Sequence, residues 1–242
     1  MRNSYNITAI LPVEGQGRSR MVSASIILAA VLSSANAAPP KRGGDPLQDR
    51  CSTAMANLMR LQEVYRSKRP SVGAPRDPAL RNELLRMRQL DQTARMAVIE
   101  HGLETSKSES AIDAENLKNL KRIFEKHGFP TPEMVGYDGM NAAWLLLQHA
   151  DQDPAWQRKW LGTIERLFKR NEIDAQDYAL FVDRVRVNEG RKQIYGSQFN
   201  EVAGRRVPRP TVDPVHLDER RKAIGLVPEK DYECILSAIY DR

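Results

Sequence analysis

The run "AAWLLL", residues 142–147, constrains the fold of this chain more than any other stretch. Its surroundings predict a helix over about 139–150 that is apolar almost all round. Such a helix has to be covered on every side by other elements. The run leads directly into Gln148, His149 and Asp151. We therefore predict a central buried helix that ends in a group of polar side chains.

Helix-start signals recur along the chain. Asp77 and Asp153 each precede a proline, which places a capping carboxylate before a first-turn proline, and Asp174 is a third capping candidate. No stretch alternates as a strand over more than a few residues. We expect an all-α fold, a single irregular helical domain of about seven or eight helices with Pro/Gly-rich loops. The helices are predicted over about 48–67, 78–101, 113–127, 139–150, 153–170, 174–189, 215–224 and 228–241.

The N-terminus has the features of a secretory signal peptide. Arg18 and Arg20 precede an apolar run at 22–32, and "ANA" at 35–37 has the small-x-small pattern that signal peptidase accepts. The run is shorter than the roughly 20 residues that span a bilayer, so we expect no stable membrane anchor after cleavage. Met21 is an alternative start that the sequence leaves open. The predicted parts are a signal peptide with an N-terminal extension (1–37), a linker (38–47) and a helical domain (48–242), in a periplasmic or secreted protein.

The charge distribution argues against a nucleic-acid partner. The net charge is +6, and removal of residues 1–37 leaves 34 basic and 30 acidic residues, a net charge of +4. Both signs are interspersed, whereas nucleic-acid binders usually concentrate basic residues on one face or in one run.

The two cysteines, Cys51 and Cys234, lie near the two ends of the mature chain. In an oxidising compartment such an isolated pair is most simply a disulfide, which here would join the terminal helices. Two unpaired buried thiols are the alternative if the chain is not exported.

Three polar groups are candidates for a functional site. His149 and Asp151 stand at the end of the central helix, where His149 is a catalytic candidate. The structural alternative is that His149 interacts with the last helix carbonyls while Asp151 pairs with it.

The second group is "DQTAR", in which Asp91 and Arg95 are one helical turn apart and face the core side, with Gln92 beside them. A charged pair there has to be mutually satisfied or belong to a polar pocket, because desolvation of a single ion is costly. A structural salt bridge and a ligand-binding role both stay open.

The third group lies at 183–198. Gln193, Tyr195 and Gln198 flank a glycine turn, and such side chains can orient a polar ligand or simply satisfy an irregular loop. Asp183 and Arg184 lie away from the apolar face of their helix, so a surface salt bridge is their default interpretation.

The ordered motifs "DQTAR", "GFPTPEMVG", "LLLQHAD", "DRVRVNEG", "QIYGSQ" and "ERRKAIGL" resemble the bacterial family catalogued as domain of unknown function 6624. The resemblance covers about residues 80–235, most of the mature chain. The family pattern usually has threonine where this chain has Ser197. The resemblance implies a helical domain whose recurring residues are polar, and it implies no reaction.

Two classes of function follow. In the enzyme hypothesis, a hydrolase or lyase acting on envelope material, His149 is a general acid or base oriented by Asp151 or Asp183. Arg95 or Arg184 would hold an anion. The alternative is a non-catalytic ligand-binding or structural protein of the cell envelope. Either form would take a small polar or anionic ligand.

No metal-ligand spacing and no cofactor motif is present, so we expect neither metal nor cofactor. We expect convergence in one open cleft of His149, Asp183, Arg184, Gln193 and Tyr195. The ligand-binding candidates are Asp91, Gln92, Arg95, Arg184, Gln193, Tyr195 and Gln198.

Overall fold

The computed structural model describes residues 21–22, 51–101, 106–202 and 205–240, and its architecture is predominantly helical. The all-α prediction is therefore confirmed. The helices are α1 (Ser52–Lys68), α2 (Pro78–His101), α3 (Ser106–His127), α4 (Pro132–Gln148), α5 (Pro154–Arg158), α6 (Leu161–Lys169), α7 (Ala175–Asn188), α8 (Leu217–Ala223) and α9 (Glu229–Tyr240).

Three helices begin at the aspartates that predicted them. The side-chain oxygen accepts a hydrogen bond from the backbone N–H three residues later at Asp77 (2.9 Å), Asp153 (3.0 Å) and Asp174 (2.8 Å). Each bond satisfies one of the N–H groups that a helix start leaves without a partner.

Helix α4 is central, as its composition predicts. Its residues from 142 to 148 are all buried, and it packs against α2, α3 and α7. It begins at Pro132, earlier than predicted, and bends at Gly136, whose φ of 73° interrupts the helical backbone. A Cβ at this position would lie 2.9 Å from Asp138 Oδ1, which explains why glycine stands there.

The structure differs from the predicted elements in three further places. Helix α3 begins at Ser106, before the predicted position 113. The predicted helix over 153–170 is two helices, because the N–H groups of Lys159 and Trp160 donate to carbonyls three residues back and tighten the turn. A small antiparallel sheet with strand order β1-β2-β3 is also present, in which β2 and β3 are four-residue strands too short to show an alternating pattern. Its strands are β1 (Met21–Val22), β2 (Phe199–Val202) and β3 (Arg205–Pro208).

The chain ends are linked covalently. Cys51, which precedes α1, forms a disulfide with Cys234 on α9, with 5.7 Å between the Cα atoms. The predicted pairing is thus present. Within the described part of the chain, no helix has both the length and the apolar character needed to cross a membrane. Apart from β1, the predicted signal peptide and linker lie outside the described residues, so export stays a prediction.

Candidate functional site

The carbonyl groups at the end of α4 are satisfied by a glutamine. Gln157 Nε2 donates to the carbonyls of Leu147 (3.1 Å) and Gln148 (2.9 Å). The interpretation of His149 as the partner of these carbonyls is therefore wrong. Gln157 is fully buried on the short helix α5, whose position follows from the cap at Asp153. The His149 side chain is free to make other contacts.

The imidazole of His149 contacts α2. Its Nδ1 lies 2.8 Å from Asp91 Oδ1 and 3.1 Å from Arg95 Nε. Arg95 Nε can only donate and Asp91 can only accept, so the two contacts require opposite states of Nδ1. We assign the proton to Nδ1 on the shorter contact, so that the ring donates to Asp91, Arg95 Nε donates to Asp91 Oδ1 (3.3 Å), and Nε2 carries a lone pair. The group that orients His149 is therefore Asp91, and not Asp151 or Asp183 as predicted.

Arg95 is enclosed by carboxylates. Its Nη1 lies 2.5 Å from Glu109, and its Nη2 lies 2.6 Å from Asp113 and 3.1 Å from Asp91. Asp91 also accepts a hydrogen bond of 2.7 Å from Gln92. Three negative groups around one guanidinium disfavour a further anion, so Arg95 fits the salt-bridge interpretation better than the anion-binding one.

Burial shapes the charges of this cluster. Burial, reinforced by the positive charge of Arg95, lowers the pKa of His149 to about 4, so the ring is neutral near pH 7. Burial would raise the pKa of Asp91, but the contacts with His149 and Arg95 outweigh it and hold this pKa well below its usual range. Burial raises the pKa of Asp113 to about 6. Arg95 lowers this pKa, whereas the nearby carboxylates of Asp91 and Glu109 raise it further.

Arg184 and Asp151 form a second cluster, in which Arg184 is buried and Asp151 is partly exposed. Arg184 Nε donates to Asp151 Oδ1 over 2.8 Å, and Nη2 contacts Oδ2, so the pair is bidentate. Asn188, one turn later on α7, donates to Asp151 Oδ1 (2.8 Å) and to Gln157 Oε1 (3.0 Å). Asp151 therefore pairs with Arg184 rather than with His149.

The surface interpretation of Asp183 and Arg184 is wrong. Asp183 is 0% exposed and Arg184 3% exposed, because the segment after α7 folds back over this side of the helix. The helical pattern could not indicate this covering segment, because the segment itself is irregular.

Asp183 anchors that segment. Its carboxylate accepts hydrogen bonds from the backbone N–H groups of Ile194 (2.6 Å), Tyr195 (3.1 Å) and Ser197 (3.0 Å), and from the Ser197 hydroxyl (2.9 Å). Burial raises the pKa of Asp183, and these hydrogen bonds oppose the shift. A threonine at 197 would supply the same hydroxyl. We assign Asp183 a structural role, and its catalytic assignment stays a prediction.

The glutamines of the loop are also satisfied internally. Gln193 Nε2 donates to the carbonyls of Gln198 (3.1 Å) and Arg209 (2.7 Å), and Gln198 Nε2 donates to the carbonyl of Leu180 (3.2 Å). Tyr195 is half-buried, with its ring centroid 6.0 Å from that of Tyr178. These contacts fit the loop-satisfying interpretation.

Two buried nitrogen atoms are not accounted for by these contacts. His149 Nε2 and Arg184 Nη1 have no hydrogen-bond partner among the residues that the structure describes. Arg184 is also the smallest of the contributions that lower the pKa of His149. The described residues contain no cluster of three or more His, Cys, Asp or Glu side chains that could hold a metal ion.

The predicted residues thus fall into three hydrogen-bonded groups around the ends of α4 and α7, and most of them are buried rather than open to a cleft. Four participants were not predicted from the sequence, namely Glu109, Asp113, Gln157 and Asn188. Three of them carry a signal at helical spacing, because Glu109 and Asp113 are four residues apart, as are Arg184 and Asn188.

A family model described as "Family of unknown function (DUF6624)" matches residues 78–242, which is more than half of the chain. No curated protein and no solved structure matches the chain.

Proposed function

This chain belongs to the family of unknown function DUF6624, and we propose that it binds a small polar or anionic ligand between His149 and Arg184. The observation that carries the proposal is the pair of unpartnered buried nitrogens, His149 Nε2 and Arg184 Nη1. Buried polar atoms are nearly always hydrogen-bonded, so two unpartnered ones on interacting side chains favour a bound group at this place.

The protonation of the two side chains narrows the ligand chemistry. Arg184 donates through Nη1, and its guanidinium plane is fixed by the bidentate contact with Asp151. His149 is neutral and offers a lone pair at Nε2, so it accepts a hydrogen bond. A matching ligand carries an anionic oxygen beside an O–H group, as in a hydroxy acid or hydrogen phosphate. The burial of both residues restricts the ligand to a small molecule or to the tip of a larger one.

A second candidate function is catalysis, as a hydrolase or lyase acting on envelope material. The arrangement that favours it is Asp91 at His149 Nδ1, which leaves Nε2 as a base, because an oriented imidazole is a common general acid or base. Turnover of a peptidoglycan fragment, glycan, peptide or phosphoester by the wild type would support this function. The substitution His149→Gln should then lower kcat by about 10² to 10⁴.

The binding proposal is tested by thermal shift with hydroxy acids, phosphate and phosphoesters. A ligand at about 100 times its Kd should stabilise the wild type by about 2.7 kcal/mol. The shift should be lost in His149→Gln and Arg184→Lys. The control is Arg81→Lys, since Arg81 forms a similar pair with Asp138, which lies about three helical turns before His149 on α4. An equal shift in all four proteins, or no shift with any of these compounds, would contradict the proposal.

A further inference from the structure

A separate cavity lies between α1, the connection from α6 to α7 and the segment that follows α8. Its volume is about 340 Å³, within the range of small-molecule sites, and it shares no lining residue with the His149 and Arg184 clusters. Its walls are largely apolar and include Leu58, Leu61, Phe168, Ile224 and Leu226.

Two buried glutamines stand among the polar residues that line this cavity. Gln62 on α1 is 5% exposed and Gln176 on α7 is 4% exposed, and both line the cavity. In both carboxamides, neither the nitrogen nor the oxygen has a hydrogen-bond partner among the described residues. Four such buried atoms are unfavourable unless a group inside the cavity satisfies them.

The charges near the cavity favour a neutral ligand. Asp174 lines it and caps α7, and burial raises the pKa of this carboxyl. Two lysines line it too: the ammonium group of Lys169 forms an ion pair of 2.7 Å with Glu165, and Lys68, at the end of α1, is exposed to solvent. The buried polar groups that lack partners are therefore uncharged carboxamides, each offering a donor and an acceptor.

We propose that this cavity binds a small neutral molecule in which an amide group is joined to an apolar body, such as a capped apolar amino acid. An amide presents one N–H and one C=O, which complement the acceptor and donor of a carboxamide. The apolar body packs against Leu58, Phe168 and Leu226. The site does not include His149 or Arg184, so this proposal can be correct whether or not the function proposed above is correct.

The test uses the full chain and the probe N-acetyl-leucine N-methylamide, with binding followed by NMR titration. The wild type should bind the probe saturably. Gln62→Leu and Gln176→Leu should each weaken binding about tenfold, because each removes hydrogen bonds to the probe. Gln89→Leu, at an exposed position on α2, should bind like the wild type. An analogue with ester groups in place of the amides should bind more weakly to the wild type, because it lacks both N–H donors.

The unfolding temperature of the variants distinguishes a ligand site from the case in which the glutamines are hydrogen-bonded to other protein groups or to water. If the carboxamides have no internal partner, both leucine variants should unfold at the same temperature as the wild type or higher. Three results would overturn the proposal: no saturable binding by the wild type, equal binding by the glutamine variants and Gln89→Leu, or a marked loss of stability in both glutamine variants.

Discussion

Asp91 and Asp183 are both fully buried, yet their pKa values move in opposite directions. Asp91 faces the side chains of His149 and Arg95, and these contacts hold its pKa below the usual range against the effect of burial. Asp183 faces mainly backbone N–H groups, and burial raises its pKa despite them. The contacts with His149 and Arg95 therefore explain why the two pKa values shift in opposite directions. Of the two carboxylates, only Asp91 is both fully buried and stabilised in its charged form.

His149 should make the stability of the protein depend on pH. Burial and Arg95 lower its pKa from 6.5 to about 4. The neutral ring therefore stabilises the fold fully above about pH 6.5, and this contribution is lost as the pH falls through the folded-state pKa. Between about pH 7 and pH 4, the free energy of unfolding should fall by about 3 kcal/mol more in the wild type than in His149→Gln, measured by urea denaturation.

Asp113 acts in the opposite direction, since its raised pKa of about 6 makes its protonation favour the fold as the pH falls. Both proteins contain Asp113, so its contribution is common to them, and the difference between them reports the titration of His149 together with its contact to Asp91. Identical pH dependence in wild type and variant would show that His149 does not titrate in this way.

Helix starts and the facing of helical residues could be predicted from local signals in the sequence. Contacts between helices that are distant in the sequence could not. The caps at Asp77, Asp153 and Asp174 and the facing of Asp91 and Arg95 follow from spacing within one helix. The pairing of His149 with Asp91 joins positions 58 residues apart, and it depends on how α4 packs against α2. No periodicity within either helix contains that information.

The segment after α7 should depend on Asp183. In Asp183→Asn, an NH2 group replaces one acceptor oxygen and leaves at least one backbone N–H without a partner. We expect a loss of about 1–3 kcal/mol in unfolding free energy. Hydrogen exchange at Ile194, Tyr195 and Ser197 should be faster. The control is Asp218→Asn. Asp218 accepts a solvent-exposed hydrogen bond from the backbone N–H of Glu229, so this variant should lose much less unfolding free energy. Unchanged hydrogen exchange in Asp183→Asn would contradict the role of Asp183 in anchoring this segment.

For the whole molecule, the disulfide joins elements that are far apart in sequence. Cys51 and Cys234 are separated by 183 residues, and the bond holds α1 against α9. In the chain-entropy model, a loop of this length stabilises the fold by up to about 5 kcal/mol. The double variant Cys51→Ser/Cys234→Ser should therefore unfold at a clearly lower temperature in calorimetry. A variant that matches the wild type would show that the bond adds no stability.

Export is a separate prediction for the whole chain. Expressed with its own N-terminus in a Gram-negative host, the protein should lose about 37 residues, measured by intact mass. Its cysteines should resist alkylation until they are reduced, because the periplasm is oxidising. Recovery of the full-length chain with two free thiols would contradict both expectations.

The central claim is that His149 is a neutral imidazole, protonated at Nδ1 by its contact with Asp91 and carrying an open lone pair at Nε2. It is tested most directly by ¹⁵N NMR of histidine-labelled protein at about pH 6.5, with His149→Gln identifying the signal. We expect a neutral ring with its proton on Nδ1, and an Nε2 signal that moves when a binding hydroxy acid or phosphate is added. A charged ring at this pH, or a proton on Nε2, would contradict it.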